Sequence, residues 1–99
     1  MKNIILLCAA GMSTSMLVKK MREAAADCGY ECTIEAYSIS QAKEKGAKAD
    51  VVLLGPQVRY QLEDIKAKIP GKPVEAIDMR SYGMMDGKAV IEQAMQLLG

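Results

Sequence analysis

Apolar and polar positions fall into alternating blocks along this chain. Ile4-Ile5-Leu6-Leu7 is an unbroken apolar run, the pattern of a strand covered on both faces. A short stretch of small residues follows, and then the spacing becomes helical. Leu17, Met21, Ala24, Ala25 and Cys28 recur along one face as far as Gly29, a residue suited to ending a helix. Ser13 or Thr14 is placed to cap that helix at its start. Residues 33–37 predict a short second strand, and residues 40–45 a weak second helix that stops near Gly46. Val51-Val52-Leu53-Leu54 predicts a third, fully covered strand. Gly55-Pro56 then turns the chain with Pro56 at the first helical position, and Val58, Leu62, Ile65 and Ile69 recur at helical spacing before Pro70-Gly71. Residues 74–77 predict a fourth strand and residues 78–87 a loop. Val90, Ile91, Ala94, Met95 and Leu98 mark the face of a last helix.

Repeated strand–helix units predict an α/β domain spanning residues 1–99, with one parallel sheet, helices on both faces and right-handed crossovers. Four strands in the order 2-1-3-4 follow the flavodoxin-like scheme, whose ligand crevice lies outside the C-terminal strand ends where the first and third strands part. Cys8, Gly55-Pro56 and the loop from Asp78 all fall at such ends. They are expected to converge on one rim.

Composition narrows the function. The 99 residues suffice for one small domain, and 51% apolar content is enough for one core. A net charge of +1 gives no basic surface for nucleic acid. No apolar run approaches the ~20 residues of a membrane span, and no signal-peptide pattern opens the chain, so the expected location is cytoplasmic. Three cysteines without framework spacing suit reduced thiols. The chain has no histidine, which removes Ser-His-Asp and Cys-His nucleophile arrangements and the imidazole ligands of most catalytic zinc sites. No metal is expected. Charged helix faces opposite the apolar stripes point to a monomer.

The candidate chemistry centres on Cys8-Ala9-Ala10-Gly11-Met12-Ser13-Thr14-Ser15. A cysteine after a strand is more often core filler than nucleophile. A loop of small residues feeding a helix start reverses that preference. Its N–H groups can turn inward and the helix dipole adds partial positive charge. The same field favours a thiolate, which lowers a cysteine pKa from about 8.5 into a range of roughly 3.5–7.5. A thiolate in such a cradle is suited to attack phosphorus and to hold the group it captures.

In placement the loop resembles the Cys-x5-Arg-Ser loop of low-molecular-weight protein tyrosine phosphatases, with Thr14 at the arginine position and Ser15 at the serine. Without the bidentate arginine, the equatorial oxygens of a hydrolytic transition state lose a clamp. Asp78 lies roughly where those phosphatases place a general acid, but its setting does not match their motif. Other residues carry two readings each. Met12, Met84 and Met85 flank the site, as a flexible surface for two partners in turn or as ordinary packing. Asp78, Tyr82 and Asp86 either shape the rim or belong to a solvated loop. Pro56 and Gln57 set a turn, with Gln57 a candidate contact to a donor protein. Arg59 and Lys19 either lend positive charge near the phosphate or lie on a solvated helix face, whereas Met16 and Met21 read as core or near-core and Cys28 and Cys32 as structural filler.

The chain resembles the IIB component of the bacterial phosphoenolpyruvate-dependent sugar phosphotransferase system, lactose/cellobiose family. The resemblance rests on Leu7 through Ser15, on Asp50 through Val58 with its Leu-Gly-Pro-Gln segment, and on Lys72-Pro73-Val74-Glu75 through Tyr82-Gly83 to Asp86-Gly87. Gly55-Pro56 and the Tyr82 region look more like the cellobiose and chitobiose branch than the lactose one, which typically has Ala before that proline. The resemblance implies a phosphocysteine at Cys8, loaded from a phosphohistidine on a IIA protein. It implies delivery to a disaccharide bound in membrane IIC, with transient membrane association through IIC. The loop from Ala9 to Ser15 would supply the donors, and no cofactor beyond the covalent intermediate is implied. Two other readings stand beside it: a phosphatase or arsenate-reductase-like enzyme using the same loop, and a regulatory module that carries phosphocysteine as a signal.

Overall fold

Strand β1 (Lys2–Cys8) runs inside a four-stranded parallel sheet of order β2-β1-β3-β4 in the computed structural model, which describes residues 1–9 and 14–98. The other strands are β2 (Cys32–Ser38), β3 (Val51–Leu54) and β4 (Val74–Ala76). The helices are α1 (Ser15–Asp27), α2 (Ala42–Gly46), α3 (Leu62–Lys68), α4 (Met79–Gly83) and α5 (Gly87–Leu98). The predicted strand order and the helices on both faces are as expected.

Successive residues of a strand point to opposite faces, and the two cores follow that alternation. Ile4 and Leu6 of β1, with Val51 and Leu53 of β3, pack against Leu17, Val18, Met21 and Ala25 of α1 and Val90, Ile91 and Ala94 of α5. Ile5 and Leu7, with Val52 and Leu54, pack on the other side against Ala42, Val58, Ile65 and Ile69. Each buried Leu or Ile contributes roughly 1.5–3 kcal/mol relative to exposure, so a one-residue slip of β1 would expose the whole set.

Both edge strands have a carbonyl taken by a helix side chain. Arg22 of α1 donates to Ile34 O from Nε (3.1 Å) and Nη2 (2.6 Å) and pairs with Glu35 at 3.2 Å. On the opposite edge Gln93 of α5 donates to Ala76 O at 2.9 Å and to Glu75 Oε1 at 2.6 Å. These contacts occupy acceptors that another strand would otherwise use. Among the described residues, no helix is long and apolar enough to cross a membrane.

The structure departs from the sequence reading in several places. β2 extends one residue beyond prediction at each end because all of Cys32 to Ser38 pairs with β1. β4 stops at Ala76, although Ile77 N still donates to Leu54 O at 2.8 Å. The segment after Gly55 begins as a 3₁₀ helix over Pro56–Gln61 and becomes α-helical only from Leu62, a stretch where Val58 and Tyr60 carry low helix propensity. The weak second helix likewise starts with a 3₁₀ turn, Ile39–Gln41. The predicted loop 78–87 contains α4, held by a cap and by buried Tyr82 rather than by a repeating apolar stripe. Met16, expected at or near the core, is 53% exposed, whereas Met21 is fully buried as expected.

α5 approaches α1 closely at Gly87, where an added Cβ would collide with the backbone of Lys20 and Met21. Gly83 has open space around its Cα. Gly87→Ala should therefore destabilise the fold by about 1–3 kcal/mol through overpacking. Gly83→Ala should be neutral or stabilising by up to ~1 kcal/mol. Urea midpoints of the two variants check this; equal midpoints would contradict the close helix approach.

Candidate active site

Cys8 ends β1 and shares the alternation of Ile4 and Leu6, so its side chain faces the layer of α1 and α5. It belongs to neither apolar cluster, yet it is only 2% exposed. What it meets is polar: its Sγ lies 3.3 Å from Thr14 Oγ1, at the start of α1. Thr14 is fully buried and is the one buried polar side chain among the described residues. Its hydroxyl makes no side-chain bond to the amides of the helix it precedes, so the expected capping bond is replaced by a contact with sulfur. Ala9 and Ser15 are exposed on either side. The loop residues Ala10, Gly11, Met12 and Ser13, all expected to bind phosphate, lie outside the described residues.

The start of α1 differs electrostatically from the other helix starts. Glu44 lies in the first turn of α2, and Glu63 and Asp64 in that of α3. The Asp78 carboxylate caps α4, accepting from Ser81 N at 3.0 Å and Ser81 Oγ at 3.1 Å. Asp86 does the same for α5, accepting from Ala89 N at 3.1 Å. In each case a side-chain anion meets the positive end of the helix dipole. The first turn of α1 carries none. An anion at a helix start gains ~0.3–1 kcal/mol, and up to ~2 when partly buried.

The rim around Cys8 is completed from β3 and β4. Gly55 N donates to Leu7 O at 2.8 Å, which extends the pairing of β1 and β3 up to the cysteine. Gln57, which is exposed, reaches across with Nε2 to the hydroxyl of buried Tyr82 at 3.3 Å. Arg59 Nη1 donates to the Met79 thioether at 3.1 Å, a second tie between the same two segments. Pro56 is half-buried. The sequence reading paired Met84 with Met85, and the structure separates them. Met84 is 67% exposed, while Met85 packs against the core at the left-handed φ of 53°. Asp78 and Asp86 are capping groups, and Lys19 is exposed.

Three rim residues were not identified from the sequence. Exposed Tyr60 follows the β3 turn, exposed Met79 opens α4, and Met16 points outward from the first turn of α1. With Met84 they are large apolar side chains left exposed on the elements that follow β1, β3 and β4. Met16 and Tyr60 gave no sequence signal for this, because only the packed structure shows which helix positions the core leaves uncovered.

Cys28 and Cys32 lie elsewhere, at the end of α1 and the start of β2. Burial pushes the Cys32 thiol up from its ordinary pKa, and neighbouring Cys28 adds to the shift. Among the described residues, no group of three His, Cys, Asp or Glu could hold a metal ion. A groove of about 410 Å³ lined by Ala24, Asp27, Cys28, Ile91 and Met95 also sits at that end of α1, remote from Thr14.

The family of the PTS system, Lactose/Cellobiose specific IIB subunit, matches residues 3–93. The oligo-beta-mannoside-specific EIIB component of Bacillus subtilis is 46% identical over 99% of this chain and 97% of its own length. The cellobiose-specific EIIB component of Lactococcus lactis is 46% identical over 98% and 96%. The solution structure of the cellobiose-specific IIB component from Borrelia burgdorferi superposes with a TM-score of 0.81 at 38% identity, covering 98% of this chain and 91% of that one.

The geometry at Gly55 leads to a measurable coupling. Its φ of −60° suits any residue, and an added Cβ would sit 3.5 Å from Cys8 Cβ but 2.9 Å from Gln57 Oε1. Gly55→Ala should keep the fold while displacing Gln57 from Tyr82. The effects of Gly55→Ala and Gln57→Ala then overlap, and the double variant should lose about 0.5–1 kcal/mol less than the two singles added together. Urea unfolding of the four proteins gives the coupling directly; strict additivity would rule out the shared contact.

Proposed function

This chain belongs to the lactose/cellobiose-specific IIB subunits of the phosphotransferase system, and from that premise we propose how its residues carry the phosphoryl group. The subunit is a phosphotransferase that works with sugar-specific IIA and IIC components in moving phosphoryl groups to a sugar. In the proposed cycle the sulfur of Cys8 attacks the phosphorus of a phosphohistidine on IIA. An S–P bond forms as the N–P bond breaks, and the electron pair returns to the imidazole nitrogen. A hydroxyl of the sugar held by membrane IIC then attacks the phosphocysteine. The new O–P bond forms as S–P breaks, the sulfur leaves with its electron pair, and the hydroxyl proton passes to a base of the sugar-binding subunit. Both steps are in-line displacements through loose transition states, so positioning and charge stabilisation account for most of the catalysis.

The observation that carries this reading is the start of α1. Here a buried sulfur at a strand end meets a helix whose first turn holds no carboxylate, while each of the other helices supplies its own. An incoming phosphoryl group, with charge spread over three oxygens, is the anion that fits. The segment from Ala9 to Ser15 is proposed to hold it through backbone amides, without a cofactor or metal. The apolar rim of Met16, Tyr60, Met79 and Met84 suits docking of IIA and IIC in turn, because flexible thioethers repack against different partners. Pro56, Gln57 and Met84 are the proposed contacts, with buried Tyr82 holding Gln57 from beneath, partly buried Met85 behind, and exposed Asp78 capping α4 beside them.

The substrate is proposed to be a β-linked disaccharide of the cellobiose, chitobiose or lactose class. Identity is equal, at 46%, to relatives named for an oligo-beta-mannoside and for cellobiose. That equality supports a division of labour in which IIC selects the sugar and IIB handles phosphorus. The phosphatase alternative lacks support. Thr14 stands where its arginine would clamp the equatorial oxygens, and the Asp78 carboxylate is engaged in capping α4 rather than poised as an acid.

Incubation with radioactive phosphoenolpyruvate, the general phosphotransferase proteins and a cognate IIA should label the wild-type chain at Cys8. Label should vanish in Cys8→Ser, and a labelled serine variant would overturn the assignment. Ser15→Asp adds a carboxylate to the first turn of α1 and should separate stability from activity. The helix should gain about 0.3–1 kcal/mol while phosphoryl capture slows at least several-fold. Capture at the wild-type rate would mean the helix start plays no part.

A further inference from the structure

A hydroxyl 3.3 Å from the reacting sulfur has a consequence that differs from holding phosphate. A thiol and a hydroxyl can each donate to the other, but a thiolate can only accept. A charged sulfur can only accept, so a hydrogen bond across the 3.3 Å Cys8–Thr14 contact then has the Thr14 hydroxyl as its donor. In the phosphocysteine the same sulfur carries two covalent bonds and is a poor acceptor, as a thioether is. The hydrogen bond is thus weak while the group is held and strong when the sulfur leaves. A contact stronger in the transition state than in the ground state accelerates the step.

Building on the phosphocysteine reading, we propose that Thr14 is a catalytic residue that stabilises the leaving sulfur when the phosphoryl group passes to the sugar. As the S–P bond breaks and its electron pair stays on sulfur, the Thr14 hydroxyl donates into that pair without losing its proton. The sugar hydroxyl, whose oxygen forms the new bond to phosphorus, gives its proton to the base of the sugar-binding subunit as before. Thr14 is well placed for the role because it is fully buried. A hydrogen bond to a charged acceptor out of water is stronger than one exposed to it. Its position just before α1 also sets the hydroxyl and the helix dipole on the same side of the sulfur.

The test compares Thr14→Val and Thr14→Ala, which lack the hydroxyl, with Thr14→Ser, which keeps it. The first readout needs no partner: the rate of Cys8 alkylation by iodoacetamide in the unphosphorylated chain, followed by mass spectrometry across pH. Wherever the wild-type thiol is only partly ionised, the Val and Ala variants should react about threefold more slowly, because the roughly tenfold loss of thiolate for one charge-assisted hydrogen bond is partly offset by a more nucleophilic sulfur. The deficit should vanish or reverse at high pH, where the thiolate is fully formed in every variant. Ser should follow wild type. A merely structural loss would shift the rate at every pH alike.

The second readout is discharge of isolated phospho-Cys8 protein by IIC-containing membranes and sugar, which should fall about tenfold in Val or Ala and recover in Ser. If Val does not fold, Ala and Ser still decide the matter. Alkylation profiles that coincide for all four proteins would overturn the role of Thr14, whatever becomes of the phosphocysteine. Absence of label at wild-type Cys8 would instead remove the carrier reading and leave the alkylation result standing.

Discussion

A strand sends successive side chains to opposite faces, and β1 keeps this rule through seven residues between two separate cores. Ile4 and Leu6 belong to the layer of α1 and α5, Ile5 and Leu7 to the layer of α2 and α3. Cys8 has no freedom in this arrangement. Its parity places it on the α1 side, at the level where α1 begins. The apolar contacts of the preceding four residues thus fix where the sulfur goes, and they are among the most deeply buried in the molecule. Fully buried Leu and Ile side chains at this density do not yield to a change at the strand tip. The polar contact with Thr14 forms because the core has already settled the alternatives.

Charge at the site is governed by a similar economy. Helix starts normally attract Asp and Glu, and α2 through α5 follow that tendency. The capping carboxylates of α4 and α5 also hold the β4 segment in shape, so that Tyr82 can be buried while Met79 and Met84 stay outside. Side-chain anions therefore organise the rim without standing at the first turn of α1. Edge protection draws on the same helices. Arg22 and Gln93 project from α1 and α5 to opposite borders of the sheet.

Much of this was legible in the sequence because the strands are nearly pure apolar runs. Ile4 to Leu7 and Val51 to Leu54 read as covered strands, and the strand order came from the flavodoxin-like scheme that alternating strand and helix patterns suggest. The position of Cys8 at the rim came with them. α4 was not legible. At five residues it is too short to show a 3.6-residue period, and its determinants are a cap and one buried tyrosine. Met16 was misread because periodicity counts apolar residues without knowing which face the sheet will cover. Asp78 and Asp86 carry two readings in sequence, rim or solvated loop, and neither reveals the cap, because a carboxylate before a short helix looks the same as one aimed at a ligand. The orientation of Thr14 was hidden for a related reason. A threonine at a helix start is expected to bond the helix amides, and only the packed strand beside it shows the sulfur within reach.

The replacement of a phosphatase arginine by Thr14 bears on why a carrier rather than a hydrolase results. An arginine fork stabilises the equatorial oxygens for any attacking nucleophile, water included. A hydroxyl placed on sulfur acts on the leaving atom alone and leaves the choice of nucleophile to whatever the rim admits. In the proposed cycle no arginine clamp assists attack by water, so the captured group persists until a partner supplies an oriented acceptor. The barrier to transfer is then lowered chiefly by proximity, which can account for roughly 7–11 kcal/mol when reacting atoms are held in line. That contribution exists only while the partner is docked. In that cycle, retention between encounters and speed during them draw on the same arrangement, a buried Cys8 in contact with the Thr14 hydroxyl.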